Sequence, residues 1–228
     1  MSIYMLGAVA CAAVIVALFI ANLVNGAVVK SLQIMDDADP FMAPVENGLA
    51  IMAEGADFAA RMAWAVENGF EPNLLADVKA TLDGSTLVTA VWKNAYKNTF
   101  LASYTAAGKI NSEFVTTLTN ECGLTTSNSM DSALFPQRPG HYTQIFDGAD
   151  LSSLYEKHEA GLLFLHENKR LAIIDRQIPT VDLITDSVRR QTAFIRSLPL
   201  WQYKGAWWYF VRRPSMNNKS IQQQLGAR

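Results

Sequence analysis

Cysteine and histidine are scarce in this chain, which limits the chemistry that it can support. There are two cysteines, Cys11 in a long apolar run and Cys122 in the body of the chain, so we expect no disulfide within the fold. A zinc site needs three or four converging thiolate, imidazole or carboxylate ligands. His158 and His166 lie on one predicted helix, about 12 Å apart along its axis, so they cannot share an ion. We expect no metal and no cofactor.

Glycine-rich phosphate loops are missing as well. Neither GxGxxG nor GxxxxGK[ST] occurs in the sequence. In both motifs the glycines let backbone N–H groups approach the phosphates closely. The absence of both motifs argues against nucleotide binding by these routes.

Acidic residues are absent from the last part of the chain. None of the 21 acidic residues follows Asp186, whereas eight of the 19 basic residues do. The formal net charge of −2 therefore averages an acidic body and a basic end. Such asymmetry indicates a basic segment that meets an anionic surface, an acidic patch of its own domain, or both.

One long hydrophobic run is present, over residues 3–24. It contains no charged residue and would span roughly 33 Å as a helix, close to the ~30 Å hydrocarbon core of a bilayer. The run lacks the basic start and the short apolar core of a cleaved signal peptide. We predict a transmembrane anchor over residues 1–30 and a single-pass membrane protein. The lone Lys30 after the run favours the cytoplasmic side for the attached domain.

The remaining chain predicts an α+β domain over residues 45–197, after a juxtamembrane connector over residues 31–44. Helical periodicity covers residues 45–68, 151–168 and 181–197. Alternating apolar and polar residues between turns predict about five strands, at residues 86–92, 99–105, 110–119, 124–129 and 141–146. Short connections favour an antiparallel meander sheet, flanked by amphipathic helices.

Three residues of this domain are candidates for catalysis. Cys122, Asp131 and His141 fall close together in the sequence, at strand ends and in loops. A cysteine, a histidine and a carboxylate form the arrangement that generates a thiolate and orients the imidazole. A lone cysteine beside a glycine is more often a small buried side chain, and the sequence alone does not show that the three converge. We therefore assign no catalytic residue.

Residues 198–213 are the most informative segment, with six aromatic residues in ten positions and basic residues around them. The segment is too short to span a bilayer. Tryptophan and tyrosine favour the headgroup level of a membrane, and basic residues favour an anionic leaflet. We predict a membrane interface formed by Trp201, Tyr203, Lys204, Trp207, Trp208, Tyr209, Phe210, Arg212 and Arg213.

Two other interpretations of this segment stay open. The aromatic and basic residues could dock onto the acidic body of their own domain. They could also bind a nucleic acid, by stacking on bases and neutralising phosphates, although an acidic, membrane-tethered body argues against that. For residues 198–228 we expect a basic aromatic segment followed by a flexible tail after Pro214.

The expected function is that of a non-enzymatic binding or scaffolding module, anchored in the membrane and acting at its surface. Its expected partners are the lipid bilayer and another membrane protein or a second copy of the chain, and not a nucleic acid. One alternative is a membrane-tethered hydrolase or transferase that uses Cys122 and His141. The other is an extracytoplasmic sensor domain.

We predict that the full-length chain stays in membranes washed with alkaline carbonate, because the uncharged run of residues 3–24 is stable only in hydrocarbon. A variant lacking residues 1–30 should be released largely into the wash. Immunoblots of pellet and supernatant measure both. A full-length chain that washes off freely would contradict the anchor.

Overall fold

The computed structural model describes Gly26 and residues 42–54, 56–79, 86–106 and 109–226. A seven-stranded sheet forms the centre, and its strands lie side by side in chain order. The strands are β1 (Met42–Pro44), β2 (Glu71–Lys79), β3 (Thr86–Asn94), β4 (Thr99–Ala106), β5 (Lys109–Thr117), β6 (Gly123–Ser127) and β7 (His141–Ile145). Helices pack on both faces of the sheet, so the predicted α+β class is confirmed.

Six α-helices accompany the sheet in the described residues: α1 (Gly48–Glu54), α2 (Ala56–Glu67), α3 (Leu151–Lys169), α4 (Thr180–Ser197), α5 (Trp201–Trp207) and α6 (Ile221–Gln224). The predicted helix over residues 45–68 corresponds to α1 and α2, on either side of residue 55. Asp150 caps α3, because its Oδ1 accepts a hydrogen bond from Ser153 N at 2.9 Å. The helix α3 and the helix α4 begin and end within a residue of the sequence prediction.

The sheet differs from the predicted five-stranded antiparallel meander in two respects. The last pair, β6 and β7, is parallel, because residues 128–140 carry the chain back to the end of the sheet where β6 begins. The first two strands were not predicted: β1 is three residues long, and β2 begins at the Glu71-Pro72 dipeptide. A register shift between Pro72 and Leu74 accommodates the missing N–H of the proline.

One face of the sheet is closely packed under α2 and α3, and we call it the packed face. Trp92, Leu101 and Phe114 of the central strands are fully buried there. The ring of Phe114 lies 5.6 Å from that of Trp64 in α2 and 5.0 Å from that of Tyr155 in α3. These aromatic contacts join both helices to the sheet, and truncating Phe114 to alanine would cost about 3–5 kcal/mol.

A buried polar network, the His158 network, continues the packed face. His158 of α3 is completely buried, with Nε2 2.8 Å from Thr116 Oγ1 and Nδ1 2.8 Å from Thr126 Oγ1. Thr116 Oγ1 also lies 2.8 Å from Thr99 Oγ1, and Gln144 Nε2 donates to Thr126 Oγ1 at 2.9 Å. The network thus connects α3 to four adjacent strands. Burial lowers the pKa of His158 to about 3, so the neutral imidazole is the form that fits.

Gly161 brings α3 close to the sheet at this network. A Cβ on Gly161 would lie 3.0 Å from both Gln144 Nε2 and Leu124 Cδ2. An alanine at this position would require the Gln144 and Leu124 side chains to move by a few tenths of an ångström. The glycine therefore has a packing role despite its low helix propensity.

The C-terminal tail docks on the same part of the sheet. Ile221 is buried, and its N–H donates to Gln144 Oε1 at 3.0 Å. Gln224 Nε2 donates to Thr143 O at 2.9 Å, and Ser220 forms a capping box with Gln223. These contacts dock residues 220–224 on the domain, and the flexibility of the tail stays a prediction.

The described residues contain no helix that is both long enough and apolar enough to cross a bilayer. The predicted anchor, residues 3–24, lies outside them, and so does most of the predicted connector. The anchor therefore stays a prediction.

We predict that acid destabilises the fold partly through His158. Below about pH 6.5 an unfolded histidine binds a proton, whereas folded His158 does so only near pH 3, so falling pH should cost up to about 1.4 kcal/mol per pH unit in this window. Between about pH 6.5 and pH 4.5, His158→Gln should weaken this slope, and His166→Gln, which removes an exposed histidine, should not. Denaturant unfolding of the full-length chain in mild detergent measures the slopes, and equal slopes in all three proteins would contradict the role of His158.

Candidate functional site

The helix α4 crosses the other face of the sheet and is held at both ends. At its start, Val181 and Ile184 pack with Met42 and Ala76 of the sheet edge. Toward its end, Ile195 packs with apolar side chains from the loop before β7 and from α5, namely Phe135 and Trp201. Between these two contacts α4 does not fill the space above the strands. A cavity of about 350 Å³ remains, which we call the α4 cavity.

The walls of the α4 cavity are mostly apolar. They come from alternate residues of β2 to β5 and from the facing side of α4, namely Val78, Val91, Phe100, Ala102, Val115, Leu183, Ile184 and Val188. In β4 and β5 the neighbouring residues Leu101 and Phe114 point to the packed face instead. The volume falls within the range of roughly 300–1,000 Å³ that small-molecule sites occupy.

One end of the α4 cavity is polar and is organised around Glu113 of β5. Its Oε1 accepts a hydrogen bond from the Tyr104 hydroxyl at 3.1 Å and from Ser132 Oγ at 2.5 Å. Burial raises the pKa of Glu113 and also raises that of Tyr104 above its usual range. Three separate parts of the chain, β4, β5 and the 3₁₀ helix Met130–Ala133, supply this group. Burial thus disfavours the charged form of this carboxyl group.

Arg138 and His141 form the basic side of the same end. The backbone N–H of Arg138 donates to Gln191 Oε1 of α4 at 3.4 Å, which fixes the loop before β7 to the helix. His141 Nε2 lies 3.4 Å from Thr125 Oγ1. Burial, with the nearby charge of Arg138 as a smaller cause, lowers the pKa of His141 to about 4. His141 is therefore neutral near pH 7, and Arg138 supplies the positive charge.

Two further arginines line the α4 cavity, but each has an acidic partner. Arg190 binds Asp186 at 3.0 Å and Glu121 at 3.1 Å. Arg176 lies 3.6 Å from the same carboxylate, that of Asp186. In contrast, no carboxylate in the described part of the chain lies within ion-pair distance of Arg138. Its guanidinium is the cation of this cavity that is left for a ligand.

The structure brings two of the three catalytic candidates to this cavity. Cys122 and His141 both line it, but Cys122 Sγ donates to Asn120 O at 3.6 Å. The loop before β7 packs on the thiol at Gly140, where φ is +81° and a Cβ would lie 3.0 Å from the sulfur. Asp131 pairs with Arg213 at 3.3 Å. Within the described residues, no hydrogen bond joins Cys122, His141 and Asp131 to one another.

The aromatic and basic segment divides into a docked side and an exposed side. Trp208 Nε1 donates to Ala133 O at 2.9 Å, and Arg213 Nε donates to Met130 O at 3.0 Å. Arg213 also stacks over the ring of Tyr209, at 4.7 Å. These contacts, with Trp201 packed near Ile195, attach one side of the segment to its own domain.

The opposite side faces solvent. It presents four large apolar side chains, Leu200, Trp207, Phe210 and Val211, which are 69%, 57%, 48% and 55% exposed. Lys204 and Arg212 are exposed beside them, and the side chain of Tyr203 lies outside the described part. Trp208 and Arg213 therefore dock onto their own domain. Membrane contact stays a prediction, now for the exposed side.

The described residues thus form an α+β domain with a ligand-sized cavity between its sheet and a covering helix. Comparisons of the chain with protein-family models, with curated proteins and with solved structures find no match. A function for this domain has to be argued from the geometry of its own side chains.

We predict that substitutions of two neighbouring tryptophans affect different properties, the stability of the fold and the contact with lipid. Trp208→Ala should lower the free energy of unfolding by about 1–3 kcal/mol, because it removes a packed ring and leaves Ala133 O without its donor. Trp207→Ala should leave the stability almost unchanged and reduce the quenching of tryptophan fluorescence by brominated lipids. The measurement uses the full-length chain in anionic vesicles, and unchanged quenching in Trp207→Ala would contradict membrane contact.

Proposed function

We propose that this chain is a membrane-anchored binding module that holds a small amphipathic ligand in the α4 cavity. The observation that carries the proposal is the unfilled space between α4 and the sheet, with apolar walls and one polar end. The predicted anchor would keep this module at the membrane surface. Its partner would be a second membrane protein or another copy of the chain.

The contrast between the two faces of the sheet supports a binding role. The contact between a sheet and a helix that covers it is normally close-packed. The packed face follows this rule, because Trp92, Leu101 and Phe114 fill the space under α2 and α3. On the other face α4 contacts the sheet edge and the loop before β7 and leaves about 350 Å³ open beside them. A cavity of this size, with a few convergent polar groups, is typical of a ligand site.

The contacts of the polar end favour binding over covalent catalysis. A hydrolase or transferase that used Cys122 and His141 would need the thiol to contact the imidazole. Instead, Cys122 Sγ points to a backbone carbonyl, and His141 Nε2 lies near a threonine hydroxyl. An extracytoplasmic sensor domain would bind its ligand in the same cavity. The binding proposal is therefore compatible with that alternative.

The exposed apolar side of residues 200–211 supports a position at the membrane. Its aromatic rings lie beside basic side chains, in a stretch of chain without any acidic residue. Tryptophan and phenylalanine rings with neighbouring cations are typical of an interface with anionic lipid. The tether would also raise the local concentration of this surface at the bilayer.

We predict that narrowing the α4 cavity weakens ligand binding. Ala102 of β4 lines the cavity, so Ala102→Phe should place a ring between the sheet and α4 and weaken the binding of a neutral apolar probe, N-phenylnaphthylamine. Ala60→Phe adds the same ring to an exposed position of α2 and should bind the probe like the parent. Fluorescence titration of the full-length proteins, at one detergent concentration, measures the binding.

The background from detergent micelles is the same for all three proteins, so their differences report the cavity. Probe binding that is equal in the parent, Ala102→Phe and Ala60→Phe would contradict a ligand site under α4.

Replacement of Cys122 distinguishes a binding module from an enzyme. A binding module tolerates Cys122→Ser, whereas an enzyme that used this thiol would lose its activity with the fold intact.

A further inference from the structure

We infer that the ligand of the α4 cavity is a single-chain amphipathic acid, whose carboxylate pairs with Arg138 and whose hydrocarbon chain lies along the apolar walls. This inference rests on the proposed function, and it adds the chemical class of the ligand. Four observations on the described residues support it: a guanidinium without an acidic partner, a buried amide donor without an acceptor, an already engaged carboxyl group and an apolar wall.

The first observation is the position of Arg138. Its side chain lines the α4 cavity and also an adjoining hollow of about 340 Å³. Both other arginines of the cavity, Arg176 and Arg190, are paired with Asp186. A partly buried guanidinium without a counter-ion is costly to keep out of water. A carboxylate is its best partner, because the planar group can donate two parallel N–H bonds to it.

The second observation is Gln137, the residue before Arg138. Its Nε2 is buried and has no hydrogen-bond acceptor among the described residues, and the side chain lines the adjoining hollow. Buried amide donors are almost always paired. A ligand oxygen bound to Arg138 would lie in the same hollow, and the buried amide would have to turn toward it to donate this bond. Two neighbouring donors without acceptors indicate a ligand group that accepts hydrogen bonds and donates none.

The third observation is that the carboxyl groups near Arg138 already have partners. Glu113 accepts hydrogen bonds from Tyr104 and Ser132, and burial disfavours its charged form and raises its pKa. Asp131, which also lines the adjoining hollow, pairs with Arg213. Neither carboxyl group needs a cationic ligand as its partner.

The apolar wall determines the chemical character of the rest of the ligand. Phe100 and Val115 on the sheet and Leu183 on α4 form an apolar wall, and the charged side chains beyond it, Arg176, Asp186 and Arg190, pair with one another. Burying a hydrocarbon chain there is favourable by roughly 0.8 kcal/mol per methylene group. A carboxylate with one apolar chain therefore matches both ends of the cavity.

The test compares dansyl-undecanoic acid with its methyl ester, using the full-length chain in mild detergent. The acid should bind about tenfold or more tightly than the ester, as expected for a charged hydrogen bond. Arg138→Gln should bring the acid down to the affinity of the ester, and Arg138→Lys should restore part of the difference. Arg189→Gln removes an exposed arginine of the same helix that covers the cavity, outside its lining, and should change nothing.

The outcomes separate this inference from the proposed function. If the parent binds the acid and the ester equally, and Arg138→Gln leaves both unchanged, the cavity binds ligands but not through a carboxylate. If neither probe binds the parent more than it binds Ala102→Phe, the proposed function fails as well. Circular dichroism of each variant, with a spectrum like that of the parent, shows that a loss of binding is not a loss of fold.

Discussion

The register between β4 and β5 is the constraint on which both faces of the domain depend. Leu101 pairs with Phe114 and Thr99 with Thr116 on the packed face, so Ala102 and Glu113 must point into the α4 cavity. A slip by one residue would exchange the two faces. The bond between Thr99 of β4 and Thr116 of β5 opposes such a slip, because it fits only one register, and His158 in turn bonds to Thr116. The packed face thus positions the polar end of the cavity without touching a ligand.

Local patterns in the sequence predicted much of the fold. The alternation in β3 to β7, the periodicity of α3 and α4 and the Asp150 cap are all features of neighbouring residues. Patterns of this kind do not determine strand pairing across long connections. The parallel pair β6–β7 depends on the path of residues 128–140. The strand β2 has a proline at its second position, which disfavours a strand by propensity alone. Tertiary contacts decide both features, as they decide the docking of the tail on Gln144.

The candidate site was less predictable than the fold. Cys122, His141 and Asp131 attracted notice through their chemistry and their closeness in sequence, and two of them do line the cavity. Glu113 and Arg138 are far apart in the sequence and become neighbours of one cavity only through the sheet and its covering helix. One signal was present: Glu113 is a charged residue in the middle of an alternating strand. Such a residue either faces water or serves a buried polar site.

The central claim is that the space between α4 and the sheet binds a ligand, and methyl NMR of the full-length chain in detergent tests it most directly. On addition of dansyl-undecanoic acid, the account predicts shifts for methyl groups of the cavity wall, those of Val91, Ala102, Val115 and Leu183. The methyl groups of Ala65, Ala90 and Leu101 on the packed face should stay unchanged. Shifts confined to the packed face or to the exposed side of residues 200–211, with the cavity wall unchanged, would contradict it.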